Sequence, residues 1–342
     1  MLRPDTNGLK PVDPSEIPQF GIAAGASYLP PIRKRIDEWA AEAGPAARQL
    51  LPSMVAFGMA NYHVAPDLDV EGLSCAGVQK LLDAGGFAPG DIDLVIFCHA
   101  GTMSTMAAPA SIPAVLMKRF GMRNAIGYSI SQQNCASIVC AIRLIRTLMW
   151  RHRTLENVLI VGADKVFGEP FRNVGAYAIQ SDGALALLIR RNNPLNRIGR
   201  IVYSIDSRYY RGTAKSAELG KRYVLRYPLL AHQMMAQVMD ESGWQAEDVD
   251  AVLPMNANLS AFQRVMELLG LPPHKLHSRN IGEVGHVFCC DPFANFLQRF
   301  AEPDAVGTGN AVVFASATSG IFCALGISRS WTGATESSPF SS

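Results

Sequence analysis

No CxxC pair occurs among the seven cysteines, whose odd number and apolar surroundings also leave no disulfide framework. Both absences point to a reduced, cytoplasmic chain. There is no basic or acidic run either: 31 Lys and Arg face 29 Asp and Glu, for a formal net charge of +2. Such a balance gives no case for nucleic acid or a membrane surface as partner. The first ten residues, MLRPDTNGLK, lack the apolar core of a signal peptide. The uncharged run from Ala311 to Ile327 is broken by Ser, Thr and Gly, so it reads as paired strands rather than a membrane span. What remains is a chain of 342 residues, 49% hydrophobic and 18% charged. It can bury a large core in one or two domains, with small molecules or proteins as default partners.

Helical and strand patterns alternate. An amphipathic helix near 71–85 leads into the continuous apolar strand IDLVIFCHAG, and a second helix near 229–242 leads into VDAVLPMNAN. The two passages match without a gap: Phe87, Asp91, Asp93 and Val95 pair with Trp244, Asp248, Asp250 and Val252, each 157 residues on. A single repeat of about half the chain suggests a duplicated α/β domain, with halves at 1–195 and 196–342 and a tail that frays from about 330. Carried from Cys135, the same offset reaches residue 292, at the end of GEVGHVFCCD (282–291). Two related helix starts then face a common site.

NAIGYSIS (124–131) reads as a strand and CASIVCAIRLIRTLMWRH (135–152) as a helix, joined sharply by QQN. A cysteine in the first turn meets the positive end of the helix dipole and unpaired amides, which favour thiolate. Cys135 is therefore the candidate nucleophile, although a small buried hydrophobe is the common fate of free cysteine. In the stretch 282–291, His286, Cys290 and Asp291 have spacing that suits a metal, but no second cluster supplies the remaining ligands. A wholly structural reading, with Cys289 and Cys290 in the core and His286 a satisfied buried imidazole, also stays open.

The segments ISQQNCAS, VLIVGADKVFGEPF, QSDGALALLI, VLPMNANLSAFQRVMELLGLP, NIGEVGHVFCCDPFANFL and GNAVVFASATSGIFCALGIS resemble, in order, the ketoacyl-ACP synthase III branch of the thiolase superfamily. The resemblance runs from about residue 20 to 328. It implies the thiolase fold, an α/β architecture of two pseudo-symmetric halves in a five-layer αβαβα arrangement. It also implies Cys135 as nucleophile and a homodimer whose interface runs along the central sheets. Acyl-CoA or acyl-ACP (phosphopantetheine) would be the acyl donor, with no cofactor or metal permanently bound.

Condensing members of that family hold a thioester carbonyl with a His in HQAN and an Asn in GNTSAAS. Here Met255 stands where the histidine would be, and a thioether donates no hydrogen bond. Losing one preorganised oxyanion donor costs roughly 10²–10³ in rate, which weighs against decarboxylative condensation. Asn256 is a substitute only if the loop shifts. The asparagine position falls on His286. The pattern GHxxxxD, here Gly285, His286 and Asp291, is similar to a divergent acyltransferase group of natural-product pathways, in which a Cys–His–Asp set moves an acyl group to a hydroxyl or amine. Imidazole suits that task, because its ordinary pKa lies near 7, and an adjacent aspartate fixes its tautomer.

The resemblance further places the backbone amides of Cys135 and Ala317 as the oxyanion hole, and Arg172 near the nucleotide of coenzyme A, where a solvated surface arginine is an equal reading. The stretch 208–226 carries Arg208, Arg211, Lys215, Lys221, Arg222 and Arg226 against Glu218. It suits an acyl carrier protein or coenzyme A phosphates, or is an ordinary solvated loop. The expected activity is acyl transfer through a cysteine acyl-enzyme to a small-molecule acceptor. The rivals are a carbon–carbon bond-forming ketosynthase and a non-catalytic partner subunit.

Overall fold

The repeated aspartates have the same physical task in both halves. In the computed structural model, which describes residues 17–85, 87–100, 111–301, 309–329 and 340–341, Asp93 Oδ2 accepts hydrogen bonds from the amides of Glu156 and Asn157, both at 2.9 Å. Asp250 Oδ2 accepts from the amide of Asn310 at 2.7 Å. Each carboxylate ties the start of one strand to the start of its parallel neighbour, a charge-assisted bond that sets register.

Among the described residues, ten strands form one large sheet. They are β1 (Phe20–Tyr28), β2 (Leu94–Cys98), β3 (Ile126–Ile130), β4 (Asn157–Asp164), β5 (Gly183–Arg191), β6 (Arg197–Ile205), β7 (Val249–Leu253), β8 (Gly309–Ala317), β9 (Ile321–Arg329) and β10 (Phe340–Ser341). Their order is β7-β8-β9-β6-β1-β5-β4-β2-β3, with β10 paired to β1. The first five strands run β1-β5-β4-β2-β3, antiparallel, antiparallel, parallel, parallel. The next four repeat that sequence as β6-β9-β8-β7, and a single parallel bridge from Val252 to Leu276 stands where a fifth strand would pair. The two sets meet where Gly21 opposes Arg197. The run 311–327 thus forms the antiparallel pair β8/β9, as its breaks by Ser, Thr and Gly predict.

Helices cover both faces. The main ones are α1 (Val70–Asp83), α2 (Ile112–Phe120), α3 (Ser137–Arg151), α4 (Ala217–Ser242), α5 (Leu259–Leu269) and α6 (Asp291–Ala301). Apolar residues of α3 (Ile138, Ile142, Ile145) and α6 (Phe293, Phe296, Leu297) share one core with inward residues of both strand sets. Helices α1 and α2 close the outer face of the first set, and α4 and α5 that of the second. The result is five layers, α/β/α/β/α, with buried strands reading as unbroken apolar runs.

Three expectations shift. The basic stretch is not one loop: from Ala217 it is the start of the 26-residue helix α4, capped by Ser216, whose side chain accepts from the amide of Leu219. The partner of Cys135 is also not residue 292. A short 3-10 turn precedes each central helix, at Asn134–Ala136 before α3 and at Phe288–Cys290 before α6. Asn134 and Phe288 carry matching positive φ values of 48° and 49°, so Cys135 corresponds to Cys289. Both sequence offset and helix length drift between halves, whereas the turn geometry does not. The tail from about 330 falls mostly outside the described residues, but Phe340 and Ser341 pair parallel with Gly25 and Ala26 instead of fraying.

Candidate active site

The turn before α3 exposes Cys135 through strained backbone. Gln132 and Asn134 both hold positive φ, 61° and 48°, a region that costs a non-glycine residue on the order of 1 kcal/mol or more. Hydrogen bonds fix it: Tyr203 donates its hydroxyl to Gln133 Oε1 at 2.5 Å, Asn134 Nδ2 donates to Ser319 Oγ at 3.1 Å, and Ser137 donates to the carbonyl of Asn134 at 2.7 Å. Cys135 is left half-buried at the head of the helix.

The opposite turn brings His286 to it. Gly285 takes φ +78°, and a Cβ there would lie 3.0 Å from the carbonyl oxygens of Asn61 and Ile179, so the glycine lets the chain run close alongside residues 179–181. The amide of His286 donates to Ile179 O and its carbonyl accepts from the amide of Ser181. Its ring, 4% exposed, then sets Nε2 at 3.3 Å from Cys135 Sγ and Nδ1 at 2.5 Å from Asp291 Oδ2. Asp291 is fully buried. With Nδ1–H donated to the carboxylate, Nε2 is the nitrogen that faces the sulfur. Burial pulls the imidazole pKa down, but the Asp291 carboxylate and the Cys135 sulfur push harder the other way, and the net position is well above the ordinary value of 6.5.

A layer of asparagines holds Asp291 and was not foreseen from the sequence. The amide of Asn256 donates to Asp291 Oδ2 at 2.7 Å and its side chain to Oδ1 at 3.2 Å. The amide of Val287 donates to Oδ1 at 2.6 Å. Asn295 donates to Asn256 Oδ1 at 3.0 Å and accepts from Asn280 at 2.8 Å. Asn256 therefore supports the carboxylate and does not face the sulfur. The cue was its place next to Met255, a polar residue inside an apolar strand end. Cys289 and Cys290 are core, each 1% exposed. They press on β4 where a Cβ at Gly162 would lie 2.8 Å from Cys290 Sγ. Among the described residues no group of three or more His, Cys, Asp or Glu side chains is arranged to hold a metal.

The expected contact between Arg172 and a nucleotide, and its rival as a solvated surface residue, are both corrected. Arg172 is 3% exposed, bonds Asp182 at 3.1 Å and Glu169 at 3.0 Å, and donates to the carbonyl of Gln180. Its guanidinium is committed inward, over the ring of Tyr62. Ala317 ends β8, and its carbonyl accepts from the Tyr223 hydroxyl at 3.2 Å and the amide of Gly320 at 2.9 Å. Cys135, His286, Met255, Ser316 and Ala317 line one cavity of about 640 Å³. That is room for a thioester arm and a second substrate. Exposed Phe167, Phe171 and Tyr210 stand on its rim.

Residues 239–329 match the family described as 3-Oxoacyl-[acyl-carrier-protein (ACP)] synthase III C terminal. Over those residues the chain is similar to the C-terminal part of ketosynthase III enzymes. A beta-ketoacyl-[acyl-carrier-protein] synthase III of Clostridium perfringens is 22% identical over 245 residues, covering 64% of this chain and 72% of that one. Its counterpart in Listeria welshimeri is 26% identical over 217 residues, 60% and 66% of the two chains. Among solved structures, the ChlB3 acyltransferase superposes with a TM-score of 0.78 at 17% identity, over 95% of this chain and 100% of that one. The 3-oxoacyl-(acyl carrier protein) synthase III of Pseudomonas aeruginosa PAO1 gives 0.76 at 20% identity, over 93% and 100%. The structural likeness establishes the thiolase fold. The proteins this chain resembles are by name condensing synthases and an acyltransferase. Met255, the residue expected at the position of the condensing enzymes' histidine, lines the cavity and accepts the amide of Ser316 on its sulfur at 3.3 Å. Among the described residues no helix is long and apolar enough to cross a membrane.

Proposed function

We propose that this ketosynthase III-like protein is an acyltransferase that carries an acyl group on Cys135 and delivers it to a hydroxyl or amine of a small molecule, in secondary metabolism. The observation that supports this most is the hydrogen-bonded line from Cys135 through His286 to Asp291, with a thioether where a condensing enzyme needs a donor. In the first half-reaction the Cys135 thiolate attacks the thioester carbonyl of an acyl-CoA or acyl-ACP. The amides of Cys135 and Ala317 hold the oxyanion, and the departing thiolate takes the proton from the His286 imidazolium. Acylation removes the sulfur's negative charge, one of the two pushes that keep His286 protonated. The ring then becomes the better proton acceptor, as the second half requires. The acceptor gives its proton to Nε2, its oxygen or nitrogen attacks the acyl carbon, and the Cys135 thiolate leaves. No cofactor takes part in any step.

Incubation with a panel of acyl thioesters is expected to give an intact-mass adduct on Cys135, absent from Cys135→Ala, and a product that is the ester or amide of the acceptor. A product in which the acyl carbon is bonded to carbon, instead of to the oxygen or nitrogen of an ester or amide, would mark the condensing alternative. No adduct with any donor would favour a non-catalytic subunit.

Two partners belong to this reading. Lys221, Arg222 and Arg226 sit exposed on the first turns of α4, whose Tyr223, Val224 and Tyr227 line the cavity. They suit the acidic helix of an acyl carrier protein. Reversing the three charges is expected to raise KM about tenfold or more for carrier-bound donors while leaving CoA donors within about twofold; equal effects on both would remove the carrier protein from the scheme. The second partner is another copy of this chain. Strand β3 is the sheet's terminal strand, with Ile126 57% and Tyr128 48% exposed, an apolar edge of the kind that needs covering. Sedimentation is expected to show a dimer that Tyr128→Lys converts toward the 37.0 kDa monomer; a wild-type monomer would overturn this.

A further inference from the structure

The asparagines that line the cavity hold parts of the protein itself. Asn134 donates to Ser319 Oγ at 3.1 Å, Asn173 donates to the carbonyl of Gly175 at 3.0 Å, and Asn258 accepts from the amide of Ala261 at 3.3 Å. Gln180 lines the same cavity and is used differently. Its backbone is engaged on both sides: the amide donates to the carbonyl of Arg172 at 2.7 Å, and the carbonyl accepts from the Arg172 guanidinium at 3.0 Å. Its side chain is half-buried. Among the hydrogen bonds of the described residues, none involves the side-chain amide of Gln180. That group offers two N–H donors and one carbonyl acceptor to a molecule in the cavity.

Its place beside the base is fixed by the backbone. The amide of His286 donates to Ile179 O at 2.8 Å and the amide of Ser181 donates to His286 O at 2.9 Å, which makes Gln180 and His286 directly opposed partners in a parallel bridge. Side chains so opposed stand on one face of the pair, with the two backbones about 4.8 Å apart. Ser181, the next residue, turns to the other face, where its hydroxyl accepts from the amide of His63 and donates to the carbonyl of Val284. On the shared face the His286 ring reaches Cys135 Sγ. An acceptor atom that gives its proton to Nε2 therefore has the Gln180 amide as a neighbour along the wall. Apart from His286, the charged side chains that line the cavity are Lys165 and Arg211, both cations. They favour a neutral or anionic acceptor over an ammonium.

Resting on the acyl-enzyme reading above, we propose that Gln180 sets acceptor specificity, selecting molecules that carry a second hydroxyl next to the one acylated, that is, vicinal diols. One hydroxyl gives its proton to His286 Nε2 and its oxygen bonds to the acyl carbon as the carbon–sulfur bond to Cys135 breaks. The other pairs with the Gln180 amide. A mono-alcohol leaves that amide without a partner, and a site built to pair with an oxygen discriminates against the analogue that lacks it. One neutral hydrogen bond of this kind corresponds to roughly 3- to 10-fold.

The test is single-turnover discharge of the acyl-enzyme, prepared with whichever donor labels Cys135, to cis- and trans-1,2-cyclohexanediol against cyclohexanol, read as loss of the intact-mass adduct. Per hydroxyl, wild type is expected to discharge to the better diol about 3- to 10-fold faster than to the mono-alcohol. Gln180→Leu is expected to bring that ratio close to one by slowing only the diol. Gln180→Met, which keeps the length of the side chain, is expected to do the same and serves if the leucine variant fails to fold. Equal discharge to diol and mono-alcohol in wild type, or a preference that survives in the variants, overturns the proposal. So does equal slowing of both acceptors, which would put Gln180 on the base, and so does slowed acylation of Cys135, which would put it on the donor. If no donor labels Cys135, the acyl-enzyme reading itself fails. The selectivity is then decided by the dissociation constants of the diols and cyclohexanol for the wild-type protein, measured by ligand-observed NMR, and equal constants overturn it.

Discussion

Cys135→Ala is expected to lower multiple-turnover acyl transfer by roughly 10⁴- to 10⁶-fold, the loss seen when the nucleophile of a catalytic unit is removed. The size follows from the route. The acyl group loses its covalent resting place, and without the sulfur the acceptor must attack the donor thioester directly. Any residual rate then comes from the oxyanion amides and from holding the two substrates together. Because Cys135 and His286 act as one unit, 3.3 Å apart, the double variant Cys135→Ala/His286→Ala is expected to be no slower than the single one. The substitution removes one half-buried sulfur atom, so the melting temperature serves as a control and is expected to change little. A loss below tenfold in steady-state turnover would remove the covalent intermediate from the scheme.

The residues that meet at the site were readable in the sequence because they sit on local signals. Cys135 follows a strand and opens a helix, and the GHxxxxD spacing puts Asp291 at the start of α6 with His286 in the turn before it. The fold was readable for a different reason: a repeated strand entry, Asp93 and Asp250, performs the same backbone tie twice. What escaped were features that depend on three-dimensional neighbours. A charged residue in a polar stretch carries no mark of burial, so Arg172 read as solvent- or ligand-facing until Glu169 and Asp182 closed around it. The asparagine layer behind Asp291 joins residues 256, 280 and 295, from three separate segments. The helix α4 begins among basic residues with Pro228 inside it, and both features hide helical periodicity.

The exchange of donors between the two turns has one physical consequence. A condensing site needs two neutral donors aimed at one carbonyl, so that an enolate can form. Here one of those positions is an acceptor, Met255 Sδ, already bonded to the amide of Ser316. The other is an imidazole coupled to a buried carboxylate. On the proposed reading, that pair of changes takes a donor away from an enolate and adds a proton acceptor, which suits transfer to oxygen or nitrogen.

His286→Ala is therefore expected to spare acylation more than discharge. Single-turnover transfer from preformed acyl-enzyme to acceptor should fall roughly 10²- to 10⁴-fold, the usual contribution of a positioned general base. The pH dependence separates the roles further. In wild type, discharge needs neutral His286, so its rate rises with pH through the pKa of that ring in the acyl-enzyme. Burial pulls this pKa down and Asp291 pushes it up. In Asp291→Asn the upward push is lost while burial remains, so the rising limb moves to lower pH. The plateau also drops, by as much as about 10⁴-fold, because the neutral amide no longer fixes the tautomer or stabilises the imidazolium. Stability carries the same sign. A histidine raised in the folded state contributes stability that is full below its unfolded value near 6.5 and is lost as pH climbs through the folded one. That contribution should be missing from chemical denaturation curves of Asp291→Asn. A discharge limb that stays in place in this variant would show that the carboxylate at 2.5 Å does not govern the imidazole, and His286 would lose its part as the base.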